Sequence, residues 1–351
     1  MNINSNGKSR LKTPIPFMAV VALVAILSTA APRMVCAQIY VGSGNGIGVF
    51  SAYGVPINAS LIPNLNGPQG IAISGTNLYV ANFYSNTIGA YTTSGDVINS
   101  NLITGLSEPE GLVVTNDLLF VANYSGAIGE FTTAGTTINT NLIAGGFGSD
   151  GLAFNGTNIF VGGMSQVAEY KTNAARQVPL VIIPGFAAGI AVFGTNLFVV
   201  DFNQSINQYS VSGAHIHVPL ITGLHPNGIA ASGGFLFVLN ISGTVGLYTT
   251  AGVSINPSLF TTTSSVTPFG IAIGQNTELT GPPSLTVSPA DTNIVLSWTT
   301  NASAFLVETS SQLDSPTWSI VTNTPTVSNA CYNIALPTSS SSQFYRLRSI
   351  Y

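Results

Sequence analysis

Charge is what this sequence has least of. Lys and Arg number 8 and Asp and Glu 12 in 351 residues, together 6% of the chain, against roughly a quarter in ordinary soluble domains. Its polar surface must therefore come from Asn, Ser, Thr and Gly. Four of the cations, Lys8, Arg10, Lys12 and Arg33, precede residue 38, where no acid occurs. The rest of the chain sets Lys171, Arg176, Arg346 and Arg348 against all 12 acids, a formal charge of −8. So few cations cannot neutralise a run of phosphates, which excludes nucleic acid and anionic membrane surfaces as partners. Cysteine is equally scarce, with Cys36 and Cys331 alone. If the segment carrying Cys36 is removed, no internal disulfide is possible, and Cys331 reads as a small buried hydrophobe. There is no phosphate-binding loop, no Ser-His-Asp ordering and no cysteine nucleophile beside a base.

The N-terminal segment does have the pattern of an export signal. Lys8, Arg10 and Lys12 precede an apolar run from Pro16 to Ala31, and Val35-Cys36-Ala37 offers small residues where a signal peptidase reads. Residues 1–37 are therefore expected to be a signal peptide, with Gln38 opening the mature chain. The run is short for a membrane anchor and Arg33 follows it. Val35 before Cys36 fits a lipid-attachment signal poorly. The expectation is a secreted protein, extracellular, periplasmic or at the cell surface, monomeric and not inserted in a membrane after cleavage.

What the sequence has in abundance is repetition. A Gly-hydrophobic-small-hydrophobic phrase opens at Gly70, Gly111, Gly151, Gly189, Gly228 and Gly270, spaced 41, 40, 38, 39 and 42 residues apart. Periods near 40 indicate stacked or radial repeats. Tyr79, Phe120, Phe160, Phe198 and Phe237 form one aromatic column, and Tyr91, Phe131, Tyr170, Tyr209 and Tyr248 a second. The runs are short, rich in β-branched and aromatic residues, and parted by Gly, Asn, Ser and Thr turns, so each repeat reads as four strands. Gly270 to Ile273 is a first strand without successors, while Ile39 to Val41, Ile47 to Phe50 and Leu61-Ile62 are three strands without a first. One sheet is therefore expected to be shared between the two ends of the repeat region, which removes two exposed edges. The expected fold is all-β: a six-bladed β-propeller over residues 38–278, closed by strands from both ends.

Beyond it, Gly281-Pro282-Pro283 marks a linker over residues 279–283. Ile294–Trp298, Phe305–Glu308, Trp318–Val321, Tyr332–Leu336 and Phe344–Arg348 then read as strands of a small β-sandwich over residues 284–351. The Leu296-Ser297-Trp298 strand and this rhythm resemble fibronectin type III-like modules of secreted bacterial proteins, which implies a spacer, a docking unit or a secretion handle.

The repeat phrase Pro-x-Gly-Ile-Ala, then Asn-Leu-Tyr-Val-Ala-Asn, then Ile-x-x-Tyr, as in Pro68–Ala72, Asn77–Asn82 and Ile88–Tyr91, resembles the NHL family of propellers. That resemblance implies a protein- or RNA-binding platform, and similar six-bladed propellers include metal-dependent lactonases and lyases. The basic residue common before the third strand of NHL repeats is absent, Asn86-Thr87-Ile88 standing there in the first copy, which weakens the RNA comparison.

In such a ring, the residue before each repeat glycine approaches the central channel. These are Gln69, Glu110, Asp150, Ala188, Asn227 and Phe269. Glu110, Asp150 and Asn227 are the candidate ligands of a hard cation such as Ca2+, which takes oxygen donors; the resemblance to lactonases implies a comparable mix. The alternative role is to bond turns between blades and cap the channel with water. A second column, Ser43, Asn82, Asn123, Gly163, Asp201 and Asn240, ends each second strand. Asn and Asp there close turns by bonding nearby backbone, and they are also candidate ligand contacts on the channel face. His225 and Asp201 are the candidate proton carriers. His215 and His217, two apart on an outer strand, are expected to be solvent-exposed edge residues. Two functions follow: non-catalytic binding of a protein or glycan on the channel face, or a lactonase-like hydrolase or lyase with a calcium-type ion in the channel.

Overall fold

A computed structural model gives the fold and describes residues 36–115, 117–144, 151–172, 176–201, 203–262, 270–276, 284–290, 292–299, 305–315, 317–328, 331–339 and 342–349. Residues 1–35, Asp150, Phe269 and the expected linker lie outside the described residues. Every regular element among the described residues is a strand.

The chain opens with β1 (Cys36–Ser43), β2 (Gly46–Ser51) and β3 (Pro56–Ile62). The next unit is β4 (Pro68–Ser74), β5 (Asn77–Asn82), β6 (Thr87–Thr92) and β7 (Val97–Ile103). It is followed by β8 (Pro109–Thr115), β9 (Leu118–Asn123), β10 (Ile128–Thr132) and β11 (Thr137–Ile143). Then come β12 (Leu152–Phe154), β13 (Asn158–Lys171), β14 (Arg176–Phe193), β15 (Asn196–Asp201), β16 (Ser205–Ser210) and β17 (His215–Ile221). The last full repeat is β18 (Pro226–Ser232), β19 (Phe235–Asn240), β20 (Thr244–Thr249) and β21 (Ser254–Thr261), and β22 (Ile271–Asn276) ends the series.

Burial explains the strand types. Middle strands such as β5 and β9 are buried from their second residue to their last, because neighbouring sheets cover both faces. Outer strands β3, β7, β11 and β17 are exposed over five residues and submerge only at the closing Leu-Ile or its equivalent. Their Asn side chains bond two residues on: Asn58 accepts from the Ser60 amide at 3.0 Å, Asn99 from Asn101 at 3.1 Å, and Asn139 from Asn141 at 3.0 Å. Such local bonds compete with the ladder and bulge the strand, and the register with the third strand shifts in each case.

The two ends of the repeat region meet as expected. β22 pairs antiparallel with β1, with Ile271 opposite Val41 and Ala272 opposite Tyr40, in a sheet ordered β22-β1-β2-β3. The first strands then touch in a cycle, β4 against β8, β8 against β12, β12 against β14, β14 against β18, β18 against β22 and β22 against β4. Between consecutive sheets lie apolar clusters, for example Tyr40, Val49 and Ile62 with Leu78, Val80 and Tyr91, and Phe198, Val200 and Ile206 with Leu236, Val238 and Tyr248. A sheet of four short strands is unstable alone, and each large side chain buried in these seams contributes roughly 1.5–3 kcal/mol.

Repeats three and four depart from the four-strand rhythm. β13 runs without a break through what the sequence reads as two strands, β14 likewise, and the result is one six-stranded sheet ordered β12 to β17. At the expected turn Gly163 stands where four other repeats have Asn or Asp and the sheet shared between the ends has Ser43. Elsewhere that side chain closes the turn, as Asn123 does by donating to the Ala127 carbonyl at 3.2 Å. Without it, the chain crosses the position with a single positive φ at Ser165, 60°.

The C-terminal segment forms β23 (Thr286–Ala290), β24 (Asn293–Thr299), β25 (Phe305–Ser310), β26 (Ser319–Ile320), β27 (Thr326–Ser328), β28 (Cys331–Pro337) and β29 (Phe344–Ser349). They make two small sheets, β23-β24-β28-β27 and β26-β25-β29. One apolar core runs through both and into the repeats: Trp298, Phe305, Val307 and Tyr332 share it with Phe50, Tyr53, Phe235 and Leu247. Tyr53 lies 5.7 Å from Trp298 between ring centroids, and its hydroxyl accepts from the Val307 amide. A shared core of this kind makes the segment part of the ring's wall rather than a tethered spacer.

Candidate functional site

The repeat glycines converge. Gly70, Gly111, Gly151, Gly189, Gly228 and Gly270 all line a single cavity of about 90 Å3 at the ring's centre. Close approach explains the residue type: a Cβ on Gly70 would lie 2.2 Å from the Glu110 carbonyl, and one on Gly270 only 1.9 Å from the Gln69 carbonyl. Neighbouring inner strands thus meet backbone to backbone. The side chains that reach the cavity from the positions before the glycines are Gln69, Glu110, Ala188 and Asn227. Glu110 is buried, while Gln69 and Asn227 are half-buried. The structure therefore brings together three of the four oxygen-bearing residues expected at the channel; the fourth, Asp150, lies outside the described residues.

This cavity has room for a few waters or one ion, at about 30 Å3 per liquid water, and is far below the roughly 300–1,000 Å3 of an organic ligand site. For calcium the described donors are one carboxylate and two amides, and Ca2+ takes about 6–8 oxygens. Among the described residues no three His, Cys, Asp or Glu side chains come together anywhere. The described residues alone do not make a calcium cage.

The second column does a different job. Asn123 accepts from the Ser107 amide at 3.1 Å while donating to Ala127; Asn240 accepts from the His225 amide at 3.2 Å and donates to the Thr244 carbonyl at 3.1 Å. Each ties the turn after its own strand to the loop that enters its repeat, so these residues position Glu110 and Asn227 at one remove. Asn82 donates to Thr87 Oγ1 at 3.4 Å, but its Oδ1 is buried with no protein hydrogen-bond partner. Asp201 is 2% exposed and does not line the cavity. Its Oδ1 accepts from Ser205 Oγ at 2.9 Å and the Asn203 amide at 3.0 Å, and its Oδ2 from Asn207 Nδ2 at 2.6 Å. A carboxylate so engaged closes its turn and has no reach to the channel for proton transfer. His225 is exposed and also absent from the cavity wall. His215 and His217 lie exposed on β17, His215 edge-on to Tyr209 at 5.1 Å and His217 Nδ1 within 2.9 Å of Gln208 Oε1.

Two features went unread in the sequence. The first is an aromatic group on the channel face, where Phe83 lies 5.1 Å from Tyr84 and 6.4 Å from Tyr124 between centroids, both nearly perpendicular. Its signal was available, since these residues directly follow Asn82 and Asn123. The second is a cleft of about 530 Å3 between the repeats and the C-terminal segment, lined by Phe235, Thr249, Ile255, Glu308, Trp318 and Arg348 among others. Glu308, 2% exposed, takes Arg346 Nη2 at 2.7 Å and Arg348 Nη1 at 3.1 Å. Arg346 also stacks over Trp318 at 4.2 Å and Arg348 over Phe235 at 4.9 Å. Arg348 thus bridges the seam, also donating to the Gly233 carbonyl at 3.4 Å, while Arg346 braces Glu308 within the C-terminal segment.

The sequence matches no family model and no curated protein at a significant level. Solved structures do match. The chain is similar to a chain in the crystal structure of a nidogen/laminin complex, at 14% identity with a TM-score of 0.57, over 68% of this chain and 98% of that one. It also aligns with a gluconolactonase from Xanthomonas campestris, at 14% identity with a TM-score of 0.49, over 78% and 95% of the two chains. Likeness at this identity bears on fold alone, and the first match, together with the all-β sheets, supports β-propeller character.

Proposed function

We propose that this chain is a secreted, NHL-like six-bladed β-propeller, extended by a fibronectin type III-like module, that binds a protein or glycan on its channel face without turning it over. The cycle of inner-strand contacts, returning from β22 to β4, supports six blades. The observation that carries the function is the size and lining of the channel: about 90 Å3, walled by glycine backbone, with Gln69 and Glu110 on neighbouring blades giving its mouth one polar side. Such a cavity anchors a few polar atoms of a ligand that lies outside it. The test is a glycan and protein interaction screen with the mature chain, with recovered ligands weighed by mass spectrometry. The expected result is an unaltered ligand whose binding falls about tenfold or more in a Gln69→Ala, Glu110→Gln double variant. A chemically altered ligand, together with a melting temperature raised by millimolar Ca2+ in the native chain and not in Glu110→Gln, would instead establish the metal-dependent enzyme.

A further inference from the structure

The channel face has a feature that its polar centre does not explain. Tyr84 is 70% and Tyr124 59% exposed, although both project from turns of well-buried sheets. Phe83 sits between them, edge-on to each. The turns are held rigidly. The Phe83 amide donates to the Gly67 carbonyl at 3.0 Å, the Tyr84 amide to Asn66 at 3.2 Å, and the Tyr124 amide to Glu108 at 3.0 Å. The two turns are also tied to each other, because Asn86 Oδ1 accepts from the Glu108 amide at 2.7 Å and the Asn86 carbonyl from the Leu106 amide at 3.2 Å. The Tyr84 ring packs close beside Gly67, where a Cβ would come within 2.6 Å of its Cδ2 and 2.8 Å of its Cε2, and most of the side chain stays exposed. Gly67 is two residues from Gln69 and Glu108 two from Glu110, which puts the aromatic group beside the polar side of the channel mouth.

We propose that Tyr84, Phe83 and Tyr124 form a stacking platform for a neutral oligosaccharide whose hydroxyl groups reach Gln69 and Glu110. The proposal rests on the channel-face reading above and selects the glycan from its two ligand classes. A pyranose ring has one face of C–H bonds, which packs on an aromatic face, and a rim of hydroxyls, which needs amide and carboxylate partners. The platform has both within one sector. Its charge matches too. Among the described residues, the turns 83–86, 124–127, 203–204 and 241–243 and the loops 63–68, 104–109 and 222–225 hold no Lys or Arg and one carboxylate, Glu108. A polyanionic glycan would meet Glu108 and Glu110 without a counter-charge, and a basic peptide would find too little acid. Rigid Tyr with Ser, Asn and Gly is also the composition of surfaces that bind at low entropic cost. The buried Asn82 Oδ1, immediately before Phe83, lacks the amide that its equivalents in Asn123 and Asn240 receive, and leaves an acceptor for a hydroxyl or a bridging water.

The test uses the mature chain on a neutral-glycan array, with cellohexaose, xylohexaose, mannohexaose and chitohexaose titrated singly by calorimetry. At least one should bind, with affinity unchanged in about 0.5 M salt. Tyr84→Ala and Tyr124→Ala should each weaken it about tenfold with unaltered melting temperature, and Tyr124→Phe should retain it. Met164→Ser and Ile241→Ser, exposed in the third and fifth repeats and outside the aromatic group, should have no effect. No binding to any neutral glycan overturns the platform, as does binding indifferent to both Ala variants. If the Gln69→Ala, Glu110→Gln double variant loses a ligand that the Tyr variants keep, the platform fails and the channel-face reading stands. The converse result keeps the platform and removes the channel from recognition. Equal loss of glycan binding in Met164→Ser or Ile241→Ser also overturns the platform, because recognition would then not be confined to it.

Discussion

Gly70 shows how much a single atom decides at the ring's centre. Its Cβ would meet the Glu110 carbonyl and Leu112 amide at 2.2 and 2.9 Å, backbone atoms that cannot swing aside. Gly70→Ala should therefore cost roughly 1–3 kcal/mol in chemical denaturation, whereas Gly75→Ala, with open space around it, should show only the cost of its positive φ. A second residue-scale prediction concerns the buried tyrosines. Burial pushes the Tyr40 hydroxyl up to about 12, the bond at Thr93 opposing, and burial raises Tyr53 further, against the Val307 amide and with the Glu308 charge. Both fold in their neutral form, and unfolded Tyr ionises near 10. Their stabilisation is complete below about pH 10 and is lost as pH rises through the folded values. Melting temperature should be flat from neutral to about pH 9 and fall above 10, with a shallower alkaline fall in Tyr53→Phe; an equal fall in both proteins would remove Tyr53 as a cause.

Among the elements, β1 has the largest consequence for its length. It is the only bridge between β22 and β2, so a chain starting at residue 44 would leave both edges open. Its expected behaviour is aggregation and loss of a cooperative melt. Cleavage after Ala37 would remove the Cys36–Asn276 and Ala37–Gln275 pairs and keep the ladder from Gln38 to Val41, so the mature protein should melt cooperatively. This closure was legible in the sequence because Gly270 to Ile273 lacked successors while Ile39 to Val41, Ile47 to Phe50 and Leu61-Ile62 lacked a first strand. The merged β13 and β14 were not, because period and aromatic columns persist through repeats three and four while the turn-closing Asn is replaced by Gly163. β23 and β27 were missed for another reason: Thr286–Ala290 and Thr326–Ser328 have little apolar alternation to reveal a strand. At the site, four positions of the channel column, Gln69, Glu110, Ala188 and Asn227, line one cavity, and the Asn column's structural role follows from its repetition. Asp201 could not be placed, since only its surroundings, Ser205 and Asn207, show that its carboxylate is fully engaged.

At the scale of the whole molecule, the C-terminal segment and the ring share one core. Ending the chain at residue 278 would expose Phe50, Tyr53, Phe235 and Leu247 together, an apolar patch of the size that promotes association. The truncated protein should bind a hydrophobic dye and melt lower than the full chain; an unchanged melt with no dye binding would make the shared core a mere contact. Glu308 belongs to the same seam. Replacing it with Gln leaves Arg346 and Arg348 without their carboxylate, but both are more than two-fifths exposed, so water screens most of that loss.

The sequence alone determined the repeat, the four-strand unit outside repeats three and four, the shared sheet between the ends of the repeat region and the scarcity of charge, because each is a local or periodic property written in neighbouring residues. Only the tertiary structure decided the rest. The width of the channel depends on how closely six glycine backbones approach. The aromatic platform depends on two turns brought together from adjacent sheets, and the riveted seam on residues more than 200 positions apart, such as Tyr53 and Val307. Distances between such distant residues are set by packing, which no column of a single sequence records.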